Sequence, residues 1–180
     1  RFDQGDTGPL APEEEDRLIE LLHEHYPGSN AILISDYDYG ILTPRIIAEI
    51  ARIQAQDPRI VVVDSKRLLL YRNFNITAVK PNYPEALDLL QLEKPKEGAD
   101  RAMQIAAHAD EILSLTGAQL AAVTLDQDGA VIFERDRLPY RTYARPQPHS
   151  RAAGAGDTYT SALALALSAG AEAETAAEIA

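Results

Sequence analysis

The chain has 180 residues, of which 46% are hydrophobic, and this predicts a globular domain with a substantial core. The formal net charge of −11 argues against duplex nucleic acid as a partner, because binding a phosphate backbone relies on lysine and arginine. The absence of cysteine excludes disulfides and cysteine-based metal sites. No apolar run is long enough to cross a bilayer, and no signal-peptide pattern is present. We therefore expect a cytoplasmic protein that does not enter a membrane.

Helices and apolar strands alternate along the chain. Helices are predicted from Pro12, from Thr43 and Pro44, from Asn82 to Leu90, from about Ala99 to Leu115, and after Gly156. Strands are predicted at 31–35, 60–64, 76–79, 121–125, 130–133 and 138–144. Strands that are apolar on both faces and alternate with helices are typical of a mostly parallel sheet covered on both sides. The sequence therefore predicts an α/β fold with three layers, α/β/α.

Polar residues lie at the carboxyl ends of four of these strands: Asp36, Asp64, Asn82 and Thr124. The carboxyl ends of parallel strands meet at one edge of a sheet, and ligands bind there in open α/β folds. We therefore expect these four side chains to share one edge.

The run A-A-G-A-G-D-T-Y-T at 152–160 carries the strongest chemical signal. Gly154, Ala155 and Gly156 precede Asp157 and an alanine- and leucine-rich segment, so backbone N–H groups of a helix N-terminus lie open to an anion. Asp157 beside such a site can take a proton from an attacking hydroxyl. It can also simply cap the helix, with the glycines serving a tight turn. A dinucleotide fingerprint is disfavoured because its third glycine is absent.

The segment G-A-G-D-T at 154–158 resembles the signature of ribokinase-like carbohydrate kinases of the phosphofructokinase-B type. Further segments resemble the family's motifs in the expected order: I-L-I-S-D-Y-D-Y-G-I-L-T at 32–43, V-V-V-D-S-K at 61–66, V-K-P-N-Y-P-E-A at 79–86 and V-T-L-D-Q-D-G-A at 123–130. The subgroup that the chain resembles most is the heptose-7-phosphate kinase domain of the enzymes that make ADP-heptose. The resemblance implies a ribokinase-like fold and ATP-dependent phosphoryl transfer, with Mg²⁺, to a hydroxyl of a sugar or sugar phosphate.

The resemblance also assigns roles. Asp157 would be the base, and the backbone N–H groups of Gly154, Ala155 and Gly156 would form an anion hole for the transferred phosphoryl group. Asn82 and Glu85 would organise Mg²⁺ through water, with Tyr83 and Pro84 between them at the nucleotide site. Asn82 and Glu85 also have the spacing of a helix capping box, and both interpretations can hold together.

Other residues receive roles from their positions in the matched motifs. Lys66 would reach a phosphate, or it is a solvated surface lysine. Asp36 and Asp64 would contact the substrate or belong to a metal network, and Thr124 and Gly129 would lie near the nucleotide.

Three positions depart from the family pattern. Arg151 stands where many members have an aspartate that helps hold a monovalent cation, and Ala153 replaces a polar residue. We expect the cation site to be lost, with the guanidinium taking over its charge. Tyr39 stands where the heptose kinases have lysine, which weakens the case for a heptose phosphate as substrate.

The family's N-terminal portion and its C-terminal end have no counterpart in the chain. Residues 1–180 are therefore expected to be a partial carbohydrate kinase domain with little or no activity in isolation, and the intact protein is expected to be able to form a homodimer. The alternative is a noncatalytic nucleotide-binding or assembly relative. A glycosyl transferase with a D-x-D motif at 36–38 is disfavoured because nothing else in the chain fits a nucleotide-sugar site.

Overall fold

The computed structural model describes residues 8–95, 100–144 and 154–180, which form one six-stranded sheet with helices on both faces. The strands lie side by side in chain order. They are β1 (Ala31–Asp36), β2 (Ile60–Ser65), β3 (Ala78–Val79), β4 (Leu120–Thr124), β5 (Ala130–Glu134) and β6 (Tyr140–Thr142). Strands β1 to β4 pair in parallel, while β5 and β6 are antiparallel. The predicted mostly parallel sheet is confirmed.

The helices start at residues that suit a helix N-terminus. They are α1 (Pro12–His25), α2 (Pro44–Gln56), α3 (Tyr83–Leu90), α4 (Arg101–Ala106), α5 (Ala109–Thr116), α6 (Ala155–Ser168) and α7 (Ala173–Ile179). The Thr43 side chain accepts a hydrogen bond from the backbone N–H of Ile46, and Pro44 occupies the first helical position, where its missing N–H costs nothing. No helix in the described part of the chain is both long and apolar enough to span a membrane.

The two faces of the sheet bury separate cores, as the alternation of side chains along a strand requires. Val61 and Val63 of β2 face a core that α2, α3 and α5 cover. Val62 between them faces a second core, built with Leu163 of α6 and Ala176 of α7. The predicted three-layer α/β/α arrangement is therefore confirmed.

The single helix predicted from 99 to 115 is wrong, because the described residues form α4 and α5 instead. His108 leaves the helical conformation, and its N–H bonds to the carbonyl of Ile105 at 2.9 Å. Asp110 and Glu111 then occupy the first turn of α5. Acidic residues favour a helix N-terminus, so this pair supports a new start after the break.

The strand predicted at 76–79 is shorter in the structure and contains only Ala78 and Val79. The reason lies in Thr77, whose hydroxyl accepts the N–H of Val61 at 3.1 Å. A side chain here takes the place of a backbone acceptor, and the regular strand begins at Ala78, two residues after the predicted start.

Candidate functional site

The carboxyl ends of the parallel strands and the N-termini of α3 and α6 meet at one edge of the sheet. Asp36 ends β1, Asp64 lies one residue before the end of β2, and Thr124 ends β4. Asn82 follows β3 and pairs with Thr124 in an isolated bridge. The predicted convergence of strand-end polar residues on one edge is confirmed.

The first turn of α6 presents open backbone to this edge. Gly154 precedes the helix with a φ of 83°, a left-handed conformation that glycine adopts without strain. Among the described residues, a Cβ added to Gly154 would meet no atom within 4 Å. The N–H groups of a first helical turn have no partner within the helix. Together with the helix dipole, they make this turn suitable for an anion.

Asp157 lies inside this turn rather than at its cap. The cap position belongs to Gly154, and among the described residues no side chain caps the helix. The Asp157 carboxylate is exposed, and its Oδ1 accepts a hydrogen bond from the hydroxyl of Tyr37, in the loop after β1. This bond is the main cause of a raised pKa of Tyr37, with burial adding to it. Asp157 therefore does not act as the N-cap of α6, in contrast to the capping alternative.

A buried ion pair lies behind the same turn. Lys80 Nζ is 3.0 Å from Asp64 Oδ2, and the two side chains are only 5% and 18% exposed. The hydroxyl of Thr160 donates to the carbonyl of Gly156 at 2.7 Å and lies 3.1 Å from the same Asp64 oxygen. Burial raises the pKa of Asp64, outweighing the opposing effects of Lys80 and Thr160. Ion pairing has therefore not fully offset the desolvation of this carboxylate.

Gly156 leaves room for the lysine. A Cβ at this position would lie 3.3 Å from Lys80 Nζ, so a larger residue would press on the ammonium group. The small residue lets the buried positive charge approach the turn that carries Asp157, and the charge therefore lies close to the open N–H groups.

Asn82 and Glu85 form the predicted capping box at the start of α3. The Asn82 side chain accepts the N–H of Glu85, and Glu85 Oε2 accepts the N–H of Asn82, each at 2.9 Å. Tyr83 is buried and Pro84 is exposed in the first turn. The capping interpretation is confirmed, while the metal and nucleotide roles of these residues stay predictions.

The acidic residues at this edge fit a Mg²⁺ ion that keeps part of its water shell. Burial is the main cause of the raised pKa of Asp64, and the charge of Glu85 adds a smaller increase. Mg²⁺ commonly binds one or two carboxylates together with water and substrate phosphate oxygens. Among the described residues, no group of three or more His, Asp and Glu side chains could hold a metal. Asp64 and Glu85 would therefore supply few direct ligands.

Asp36 lies in an interior network. Its Oδ2 accepts hydrogen bonds from Tyr71 at 2.6 Å and Ser65 at 3.0 Å, and its Oδ1 accepts the N–H of Asp38 at 2.9 Å. Burial tends to raise its pKa, but these bonds and the nearby Arg67 outweigh burial and lower it. The predicted substrate role stays a prediction, whereas the contacts favour an anchor for the loop after β1.

The remaining predicted residues differ in how the structure accounts for them. Lys66 is exposed in the turn after β2. Gly129 has a φ of 85°, and a Cβ there would lie 2.1 Å from the carbonyl oxygen of Thr142. The hairpin therefore requires glycine at this position, and the nucleotide roles of Gly129 and Thr124 stay predictions. Arg151 and Ala153 lie outside the described residues.

Sequence reasoning missed three residues of this site. Lys80 could have been found, since it directly follows the buried strand β3 at the edge where Asp64 ends a neighbouring apolar run. Tyr37 and Thr160 carry no local signal, because their partners lie 120 and 96 residues away in the sequence.

Comparison with known proteins gives a family for this arrangement. The family described as "pfkB family carbohydrate kinase" matches residues 45–180. The chain belongs to this family. The resemblance in the ordered motifs is thereby confirmed, and the match extends from α2 through α7.

Two relatives are both named "Bifunctional protein HldE". The protein from Desulfatibacillum aliphaticivorans is 29% identical over 156 residues, and that from Rhodopseudomonas palustris (strain BisB18) is 31% identical over 157. Each match covers 86% of this chain but only 31% of the relative. The chain thus spans about a third of the length of these proteins.

Solved structures of the same fold cover nearly the whole chain. Phosphofructokinase-2 from Escherichia coli in complex with potassium has a TM-score of 0.76 at 25% identity, covering 94% of this chain and 53% of that one. Ribokinase from Arabidopsis thaliana, complexed with ribose and ATP, has a TM-score of 0.67 at 19% identity, covering 94% and 50%. The ribokinase-like fold is therefore confirmed.

Proposed function

We propose that the protein carrying this chain transfers a phosphoryl group from ATP to a hydroxyl of a sugar or sugar phosphate. Asp157 is the base, and residues 154–157 form the anion hole. The observation that carries the proposal is the first turn of α6, where an exposed carboxylate stands beside open N–H groups. Phosphoryl transfer depends mainly on positioning and on stabilising charge, and this turn offers both.

The residues of the first turn of α6 have different roles in the proposed phosphoryl transfer. Asp157 takes the proton of the acceptor hydroxyl as that oxygen attacks the terminal phosphorus. The N–H groups of residues 154–156 donate to the phosphoryl oxygens, where negative charge is concentrated in the transition state. Lys80 beneath Gly156 contributes a buried positive charge to the same place.

A Mg²⁺ ion would be held through water by Asn82 and Glu85, with Asp64 close by as a further acid of the metal network. When bound, the ion would neutralise charge on the nucleotide phosphates. The capping box supports this assignment. Its two hydrogen bonds fix Oε2 of Glu85 on the N–H of Asn82 and do not use Oε1, which could accept from a water molecule bound to the ion.

Heptose 7-phosphate is the acceptor that we propose. Its support is the resemblance of the 32–43, 61–66 and 79–86 segments to heptose-7-phosphate kinases, together with the two relatives named HldE. Tyr39 in place of a lysine weighs against a phosphate-bearing substrate at that point of the loop. A panel of sugars and sugar phosphates therefore belongs in the test.

The activity belongs to the natural-length protein, since the chain spans 31% of the relatives above. Little kinase activity of the isolated 180 residues, a homodimer of the intact protein and a cytoplasmic location stay predictions. Sugar-dependent ATP turnover by the isolated chain would contradict the first of them.

The test is Asp157→Asn in the natural-length protein, assayed with ATP, Mg²⁺ and heptose 7-phosphate. We expect kcat to fall at least about a hundredfold, the scale of general-base catalysis, while ATP binding by calorimetry is retained. Asp136→Asn is the matched control. Asp136 is exposed in the turn after β5 with a φ of 62°, a conformation that asparagine tolerates. Unchanged turnover in Asp157→Asn would contradict the base role of Asp157. ATP binding without phosphoryl transfer by the unaltered protein would favour the noncatalytic nucleotide-binding or assembly relative.

A further inference from the structure

Tyr37 makes a contact that the family signature does not explain. Its hydroxyl donates to Oδ1 of Asp157 across 120 residues of sequence, joining the loop after β1 to the first turn of α6. Both side chains are exposed, so burial alone does not force them together. The bond uses one oxygen of the carboxylate and leaves Oδ2 outside it.

Hydrogen bonds to the neighbouring Asp36 anchor the loop that carries Tyr37. The neighbouring Asp36 is buried and accepts bonds from Tyr71, Ser65 and the N–H of Asp38. These bonds hold the backbone on both sides of Tyr37. A side chain on such a support loses little further freedom when it binds a partner.

The ring of Tyr37 is also held from the side. It stacks on the ring of Tyr39, with centroids 6.0 Å apart and an angle of 20° between the planes. Offset stacking at this separation is favourable, and it narrows the directions in which the Tyr37 hydroxyl can point. The hydroxyl is thus directed at Asp157 by both the backbone and a neighbouring ring.

An aspartate in the first turn of a helix has several rotamers open to it when it is exposed. We infer that Tyr37 is a positioning residue that holds Oδ1 of Asp157 and thereby directs Oδ2 toward the acceptor hydroxyl. The inference rests on the proposed function, in which Asp157 is the base. A base that must lie within hydrogen-bond reach of one hydroxyl gains from being fixed before the substrate arrives.

The contact itself can be tested without a substrate. In the natural-length protein labelled with ¹³C at tyrosine Cζ, the Tyr37 signal is the one that Tyr37→Phe removes. The bond to Asp157 is the main cause of the raised pKa of Tyr37, so Asp157→Asn should lower the titration midpoint of that signal. An unchanged midpoint would show that Tyr37 does not hold Asp157, and the inference would be overturned.

The catalytic consequence is tested by Tyr37→Phe, with heptose 7-phosphate and ATP as the probes. We expect kcat to fall about tenfold, the effect of losing one hydrogen bond to a charged group, with KM for ATP unchanged within about twofold. Tyr140→Phe is the matched control, because it removes a tyrosine hydroxyl that bonds to the carboxylate of Glu178 instead, and it should retain kcat. If Tyr37 had only a structural role, Tyr37→Phe would lower the unfolding temperature. It would not lower kcat selectively while KM for ATP stayed the same.

Full kcat in Tyr37→Phe would overturn the inference. Failure of the proposed function would look different, as absence of phosphoryl transfer by the unaltered protein across the whole panel of acceptors. The tyrosine titration would still decide in that case whether Tyr37 holds Asp157.

Discussion

The ion pair of Lys80 and Asp64 should make the stability of the protein sensitive to a single substitution at Lys80. Lys80→Met keeps most of the buried stem but removes the ammonium group that lies 3.0 Å from Asp64 Oδ2. Breaking a buried pair from one side costs about 3–5 kcal/mol, because the other charge stays desolvated. Since Asp64 is still 18% exposed and lies near the Thr160 hydroxyl, we expect the lower end, about 3 kcal/mol.

The assay is urea unfolding of the natural-length protein followed by circular dichroism near pH 7. Lys66→Met is the matched control, since Lys66 is exposed at the same edge of the sheet, and it should change the free energy of unfolding by less than about 0.5 kcal/mol. The double variant Asp64→Asn with Lys80→Met removes both charges. It should recover to within about 1 kcal/mol of the unaltered protein, because no buried charge is left without a partner.

The pH dependence of the unfolding free energy checks independently whether the unpaired charge of Asp64 causes the loss of stability in Lys80→Met. Burial raises the pKa of folded Asp64 above its ordinary value of 3.8. The protonated form of Asp64 therefore contributes stability that is fully present below the ordinary pKa. This stability is lost as pH rises through the raised pKa of the folded protein. Lys80→Met removes an interaction that lowers this pKa, so its deficit should shrink on acidification. A deficit below about 1 kcal/mol near neutral pH, or one that is the same in mild acid, would refute the reasoning.

Three other substitutions or conditions test neighbouring parts of the structure. Tyr71→Phe should cost about 2 kcal/mol and move acid unfolding to higher pH by circular dichroism. The pKa of Asp36 is lowered in the folded protein, so the stability that its ionised form contributes is lost as pH falls through the folded pKa. Removing the Tyr71 hydroxyl raises that folded pKa, and the loss then occurs at higher pH. Gly129→Ala should cost at least about 3 kcal/mol in urea unfolding, whereas Gly170→Ala, with a φ of 85° but open space around it, should cost about 1 kcal/mol. If Arg151 replaces the monovalent cation, kinase turnover should be the same in K⁺ and in a K⁺-free buffer, and clear activation by K⁺ would contradict this.

Local rules account for the parts of the fold that the sequence predicts well. The strands at 31–35 and 60–64 are continuous apolar runs, and the structure places β1 and β2 within one residue of these bounds. The capping box of Asn82 and Glu85 needs only a spacing of three residues, and it forms as predicted. Parallel pairing then brings the strand-end residues to one edge without any further assumption.

The predictions fail where backbone geometry or distant partners decide. The break between α4 and α5 depends on His108 leaving the helix in the middle of an otherwise helical pattern. The shortening of β3 depends on a hydroxyl of Thr77 that replaces a backbone acceptor. Neither effect changes the apolar periodicity from which the helix and the strand were predicted.

A distant partner also bears on the two interpretations of Asp157 in the run at 152–160. From the sequence, Asp157 suits a helix cap as well as it suits a base, because both interpretations need only a carboxylate at a helix N-terminus. In the structure Gly154 takes the cap position, and the carboxylate of Asp157 turns to Tyr37. Asp157 thus does not cap its own helix, and Tyr37 from the loop after β1 holds it at the ligand-binding edge of the sheet. This placement supports the proposed role in proton transfer, because the carboxylate stays within reach of a ligand at that edge.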